Sequence, residues 1–365
     1  PAMATGNNCY TASPGINDWF ETVKINYGDT HTGTWDKMLD IIMFWASKGV
    51  DGFRCDMVEL VPPAFFAWMI AEVKKTYPEV IFVAEVYKKD LYREYIRSVG
   101  FDYLYDKSGL YDTLKVIVDK GVNDNGMPVE LWQSTSGITR NWQFLGDLQP
   151  YMLNFLANHD EQRFASGFFG FDAANTFAPL YVSLLLNTAP FMVYFGEEVG
   201  EKGMDEEGFS GCDGRTTIFD WWSVASIRRL RKLIASGEYK TLDPEKIVQA
   251  GLERGEAEIF CRFAEAVRLA SEDEAIRKGC TYDLCYCNMS SDGFDQNRHY
   301  AFLRDHEDHT LLIAANFSQN EANMKLIIPE HAFDWLGIPC TEELHPGKVI
   351  EVTVPPMDGA VIKLI

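Results

Sequence analysis

The chain has 365 residues, 47% hydrophobic and 24% charged, with 33 Lys and Arg against 54 Asp and Glu for a formal net charge of −21. That length accommodates one large α/β domain and a smaller one, while the acidic field repels phosphate backbones and excludes nucleic acid as a partner. No segment approaches the roughly 18 apolar residues of a transmembrane helix, so no membrane span is expected.

The opening "PAMATGNNCYTASPG" has no basic or apolar leader pattern and reads as the interior of a loop, with the natural N-terminus expected upstream. From "TWDKMLDIIMFWASKG" the period becomes helical. Met38, Ile41, Ile42 and Trp45 fall at i, i+3, i+4 and i+7, and Gly49 closes the helix. The strand "VDGFRCD" follows, and Pro62 and Pro63 open a second helix with the stripe Phe66, Met69, Ile70 and Val73. "EVIFVAE" is a continuous apolar run of the kind buried on both faces of a parallel sheet. A helix near 89–99, the strand "FDYLYD", a helix near 109–120, the strand "YMLNFLANHD", the helix "NTFAPLYVSLLLNT" and the strand "PFMVYFGEE" complete the alternation.

Five strands alternating with helices imply parallel strands with helical crossovers, in a doubly wound sheet or a (β/α)8 barrel. A long amphipathic stretch then runs to about residue 278. Beyond it, "HYAFLRD", "HTLLIAANFS", "NMKLIIP", "KVIEVTVP" and "AVIKLI" are short β-rich runs that predict a small antiparallel domain over 280–365. Cys280, Cys285 and Cys287 lack a second half at zinc-finger spacing and read as thiols buried against neighbouring strands, so no metal site is expected.

Three of the strands end in a carboxylate: Asp56 after "GFRC", Glu85 after "IFVA" and Asp160 after "LNFLANH". In a parallel barrel the C-terminal strand ends share one face, which holds the active site. Three acids delivered there suit glycosidic bond cleavage, in which one carboxylate attacks the anomeric carbon and another protonates the leaving oxygen. Arg54, two residues before Asp56, makes with it either part of a reactive site or an ion pair of the fold. Taken singly, Arg54 and Asp56 also fit a plain structural ion pair. Asn158–His159–Asp160 also fits a metal-dependent phosphohydrolase, but six other histidines, at 31, 299, 306, 309, 331 and 345, lie mostly in the tail.

"GFRCD", "VAEVY" and "ANHD", in that order and in βα context, resemble three short blocks of the α-amylase family, glycoside hydrolase family 13. "PFMVYFGEEVG" is similar to the family's eighth strand and the β-rich tail to its C-terminal sandwich. The resemblance implies a partial (β/α)8 barrel, about strands four to eight, over 1–279, followed by a β-sandwich over 280–365. Residues 1–30 would then end an inserted loop domain.

The resemblance also implies roles. Asp56 becomes the nucleophile, Glu85 the acid and then the base, and Asp160 a third carboxylate gripping sugar hydroxyls. Arg54, His159 and Tyr87 become substrate-site residues. The implied substrate is an α-glucan oligosaccharide or polysaccharide. A retaining hydrolase is the leading expectation, with a transglycosylase, an α-1,6-acting enzyme or a non-catalytic carbohydrate-binding relative as alternatives. No cofactor is required for this chemistry.

Two departures accompany the likeness. The family's first block and barrel strands one to three are not found, and are expected upstream. Where many α-amylases carry Lys-His three and four residues after the nucleophile, this chain has Glu59 and Leu60, so the residues present do not support a structural calcium there. Tyr87, Trp142, Trp221 and Trp222 are candidate sugar-stacking aromatics, each equally readable as a core or loop anchor, and residues 197–214 a candidate lid.

Overall fold

The computed structural model describes residues 25–118, 134–203, 214–216 and 224–365. Trp221, Trp222 and most of the expected lid lie outside the described residues. Contacts divide the chain into two compact units, Pro1–Tyr105 and Asp106–Ile365.

The first unit runs α1 (Gly33–Ala46), β1 (Gly52–Cys55), α2 (Pro63–Thr76), β2 (Ile81–Ala84), the short turn α3 (Tyr92–Glu94) and β3 (Tyr103–Tyr105). β1 pairs with β2 in parallel, Gly52 opposite Ile81 and Cys55 opposite Ala84, and β2 pairs with β3 in parallel. Gly52 permits this approach, because a Cβ there would lie 2.6 Å from the Ile81 carbonyl oxygen. The expected stripe of α2 is buried along its length, joined by Phe65.

The expected stripe of α1 is rotated. Trp35 and Ala46 are the buried residues, whereas Ile41 and Trp45 are half exposed. The cause is a non-local aromatic lock. The Trp35 ring lies 5.6 Å from both Phe65 and Trp68 of α2, and its indole N–H donates to the Tyr27 carbonyl at 2.8 Å. Those contacts outweigh the local periodicity.

The second unit continues with α4 (Asp112–Val118), α5 (Ser136–Leu145), β4 (Met152–Phe155), α6 (Phe177–Leu185) and β5 (Phe191–Met192). Helices α7 (Ala225–Ser236), α8 (Pro244–Gln249), α9 (Arg254–Glu272) and α10 (Glu274–Lys278) follow. β4 and β5 pair in parallel, Asn154 opposite Phe191. The strand expected over "PFMVYFGEE" is only two residues long, because the chain turns into a buried helical turn at Glu197–Val199.

The remaining elements are β6 (Cys280–Asp283), α11 (Cys285–Asn288), β7 (His299–His306), β8 (His309–Asn316), β9 (Ala322–Ile327), α12 (Glu330–Leu336), β10 (Val349–Val354) and β11 (Asp358–Lys363). One antiparallel sheet has the order β11-β8-β7-β6 and a second is the pair β10-β9. Leu303, Leu312 and Ala314 of the larger sheet share a core with Met324, Leu326, Val352 and Val354. This is the two-sheet packing of a small sandwich.

Buried Arg304 on β7 ties that sheet to the helical layer. Its guanidinium donates to the carbonyls of Ala275 at 2.9 Å, Ile276 at 2.6 Å, Gly279 at 2.9 Å and Leu186 at 3.1 Å. It thereby engages carbonyls at the end of α10 and the one that follows α6. Cys280 is exposed on β6, and Cys285 and Cys287 sit on α11 rather than on a strand, with sulfurs facing the carbonyls of Ala301 and Leu284. The strand–helix alternation followed by antiparallel sheets is a partial (β/α)8 barrel with a small all-β domain.

Candidate active site

Cys55 and Ala84 face each other at the ends of β1 and β2, and the next residue on each strand is an acid. The parallel ladder therefore brings Asp56 and Glu85 to neighbouring strand ends. The Glu85 amide donates to the Cys55 carbonyl at 3.0 Å, which locks the register where the acids emerge. Asp56 is open to solvent, its side chain 64% exposed, whereas that of Glu85 is 3% exposed.

Arg54 joins them. One terminal guanidinium nitrogen, Nη1, is bonded to Asp56 Oδ1, and the other, Nη2, lies 2.9 Å from Glu85 Oε1. The guanidinium also sits 5.5 Å from the Tyr105 ring centre, in range of the π face. Burial pulls the Arg54 pKa down, but Glu85, Tyr105 and Asp56 together raise it above its ordinary value. The cation is held by its two acids. Cys55, between Arg54 and Asp56, is pushed up to about 12 by burial, against the pull of Arg54, and stays a neutral thiol.

Both oxygens of Glu85 are engaged. Oε2 accepts the Met57 backbone N–H at 2.8 Å, and Oε1 accepts the Tyr87 hydroxyl at 2.7 Å. A tyrosine hydroxyl can donate or accept, so this bond can persist whether Glu85 is charged or carries a proton. Met57 reaches its position in the left-handed region, φ 45°, a conformation costing a non-glycine residue about 1 kcal/mol or more. Tyr87 is thus placed beside Glu85 by its hydroxyl.

Glu59 was not among the expected site residues. Its Oε1 accepts two successive backbone N–H groups, of Tyr87 and Lys88, each at 2.6 Å, and Oε2 lies 3.5 Å from the Lys88 ammonium. A carboxylate on consecutive amides is a strong, charge-assisted cradle. It pins the segment that follows Glu85. The Tyr95 phenol is raised to about 12, by burial first and then by Glu59 and Glu94.

In the second unit, His159 and Asp160 follow β4 and pair, Nε2 to Oδ2 at 3.1 Å. The Asn158 side chain accepts the backbone N–H of Asp160 and of Glu161, both at 2.8 Å, and fixes the turn that presents them. Glu161 is held by the Tyr111 hydroxyl at 3.1 Å and by Lys107 at 3.3 Å. Asp106, the residue after β3, is buried and accepts from Asn141 at 3.0 Å, a structural arrangement.

A buried charge cluster lies behind this turn. Arg163 donates through Nε to Thr216 Oγ1 at 2.6 Å and stacks 4.1 Å from the Tyr194 ring centre. Burial lowers its pKa, although Tyr194, Glu201, Glu197 and Glu198 pull the other way. Glu197 accepts the Tyr194 N–H at 3.1 Å and is raised to about 8 by burial, which exceeds the opposing effects of that amide and Arg163. Glu197 and Val199, the first residues of the expected lid, are core residues instead, because this turn packs inward. Among the described residues no cluster of three or more His, Cys, Asp or Glu side chains is arranged to hold a metal ion.

The family description "Alpha amylase, catalytic domain" matches residues 23–323. The chain belongs to the α-amylase family. Curated relatives of this α-amylase-family chain include the α-1,4-glucan:maltose-1-phosphate maltosyltransferases of Mycolicibacterium smegmatis, 33% identical over 103 residues, and Cereibacter sphaeroides, 33% identical over 85 residues. The matches cover 28% and 23% of this chain and 15% and 14% of those proteins.

Solved structures with the same fold include the debranching enzyme of Nostoc punctiforme, at 20% identity and TM-score 0.58, covering 90% of this chain and 60% of that one. The cyclic α-maltosyl-(1→6)-maltose hydrolase of Arthrobacter globiformis aligns at 17% identity and TM-score 0.60, covering 97% and 65%. The α-amylase of H. orenii aligns at 16% identity and TM-score 0.60, covering 94% and 67%.

Proposed function

We propose that this α-amylase-family chain carries the reactive carboxylates of a retaining enzyme acting on α-glucosidic linkages of starch-like or maltooligosaccharide substrates. The observation that carries this reading is the sharing of one guanidinium, Arg54, by the acids ending two adjacent parallel strands. Asp56, solvent-open and oriented by Arg54, is the nucleophile: its oxygen bonds to the anomeric carbon as the glycosidic bond breaks. Glu85 gives its proton to the departing oxygen. Glu85 then takes a proton from water, the water oxygen bonds to the anomeric carbon, and Asp56 is released, so that two displacements retain configuration. His159 and Asp160 would bind sugar hydroxyls, and Tyr87 would hold Glu85.

A second reading, glycosyl transfer to a sugar hydroxyl in place of water, draws on the likeness to maltosyltransferases. It uses the same carboxylates. The deciding measurement is made on the full chain with an activated maltoside. Asp56→Asn and Glu85→Gln are expected to lower turnover by a factor of ~10³ or more, and the first-formed product should have the α configuration by NMR. Unimpaired turnover in either variant, or a β product, removes the mechanism. The ratio of hydrolysis to transfer on a maltooligosaccharide separates the two readings.

A further inference from the structure

Trp142, a candidate stacking aromatic in the sequence, takes no part in the carboxylate site. It lines a separate pocket of about 330 Å³ within the second unit, formed by one face of α5, strand β6 and the short helices α11 and α12. Tyr282 forms its floor, nearly fully buried, and two rings stand open to solvent above it: Tyr286, 56% exposed, and Trp335, 55% exposed. The ring centres of Tyr286 and Trp335 lie 6.3 Å and 6.0 Å from that of Tyr282. Large aromatics exposed singly are common, but two of them converging on a concave surface with a third and an indole mark a recognition surface.

The polar groups set the ligand class. The Tyr282 hydroxyl is bonded to the Tyr286 hydroxyl at 2.5 Å and to His331 Nδ1 at 3.2 Å, a short row of groups that both donate and accept, laid along the aromatic faces. Apart from His331, the one ionisable acid or base in the lining is Asp283, and its charge is spent internally. Its Oδ1 accepts the Cys285 N–H at 2.7 Å, and its Oδ2 accepts the hydroxyls of Thr139 and Tyr300. The indole Nε1 of Trp142 has no hydrogen-bond partner among the described residues.

A pocket with aromatic faces, hydroxyl and imidazole groups and no free carboxylate or ammonium does not select an ionic ligand. It suits a neutral molecule whose apolar C–H faces alternate with hydroxyls. A hexose is that molecule: its C–H face stacks on a ring and its rim hydroxyls exchange hydrogen bonds with phenols.

We infer that the pocket bounded by Trp142, Tyr282, Tyr286, His331 and Trp335 is a non-catalytic site for a neutral glycan, holding a short stretch of an α-glucan chain. The ligand's identity rests on the function proposed above, whereas the existence of a neutral-sugar site does not. Its residues all lie outside the carboxylate site, so the two can be tested apart.

The test is native gel electrophoresis of the full chain in gels containing soluble starch, with dextran gels as the control, alongside turnover of a short activated maltoside. Trp335→Ala and Tyr286→Ala, both at exposed positions, are each expected to raise the dissociation constant for gel-embedded starch at least fivefold. Turnover of the short maltoside should stay within twofold. Retardation by starch that neither variant changes overturns the inference, as does a wild-type chain retarded by no starch at all. A chain that starch retards through these aromatics but that cleaves no α-glucoside upholds the pocket and removes the proposed activity. Active enzyme without starch retardation does the reverse.

Discussion

The Glu59 carboxylate accepts the backbone N–H of Tyr87 at 2.6 Å, two residues beyond Glu85 and 28 residues from Glu59 in sequence. Because the same oxygen takes the Lys88 N–H, Glu59 governs the path of the chain leaving β2, and through it the Tyr87 hydroxyl on Glu85. In Glu59→Leu both N–H groups lose their carboxylate acceptor and, being exposed, turn to water, so the segment is no longer pinned. We expect kcat on an activated maltoside to fall ~10-fold or more, with a smaller change in KM and a displaced pH profile. Glu59→Gln keeps an oxygen in place and should recover most of kcat. If Glu59→Leu turns over like the wild type with an unaltered pH profile, Glu59 positions nothing.

Arg54 bridges two acids because a guanidinium has two terminal nitrogens in a rigid fork. Arg54→Lys offers one ammonium and can serve only one acid well. Kinetics on the activated maltoside should show kcat lowered ~10²-fold or more, of the order seen when a preorganised electrostatic group is lost. Arg54→Ala should be worse in a second respect. It leaves the buried Glu85 without the guanidinium that lies against Oε1, and stability should fall by about 1–3 kcal/mol. Urea titration of both variants checks this: Lys near wild-type stability and Ala well below it. Equal activity in Arg54→Lys and the wild type would show that bridging is dispensable.

Asp56 and Glu85 are legible at strand ends because local signals agree: an apolar run, a terminal carboxylate and a flanking helix whose stripe, Phe66 to Val73, is buried as its spacing predicts, whereas β4 stops at Phe155 and Asp160 stands in the turn beyond it. The trailing β-rich runs likewise became strands. What escaped detection depends on distant partners. The buried face of α1 is set by Phe65 and Trp68, more than 25 residues from Trp35, and no period within α1 contains them. Glu59 looked like a departure from a family pattern, yet its amide partners lie beyond the next strand. In sequence Glu197 and Val199 open an acidic, glycine-rich run that reads as a surface loop if charge is equated with exposure. Here the turn at Gly196, with φ 86°, sends both side chains inward. A buried acid leaves no mark in composition.

Glu197 carries the last prediction. Burial raises its pKa in the folded chain to about 8 from an ordinary 4.5. Between those values the folded state keeps a proton that the unfolded state has released, so stability falls as pH rises across the window. The contribution is intact below about 4.5 and is lost by the time pH passes about 8. The slope is at most about 1.4 kcal/mol per pH unit for a single group. Glu197→Gln keeps the shape and the acceptor for the Tyr194 N–H and removes the ionisation. Thermal unfolding followed from pH 5 to pH 8 should therefore show a steeper fall in Tm for the wild type than for Glu197→Gln, and the variant should be the more stable chain at pH 8. Parallel Tm curves for the two would mean that Glu197 is already charged near pH 5 in the folded protein, held so by Arg163.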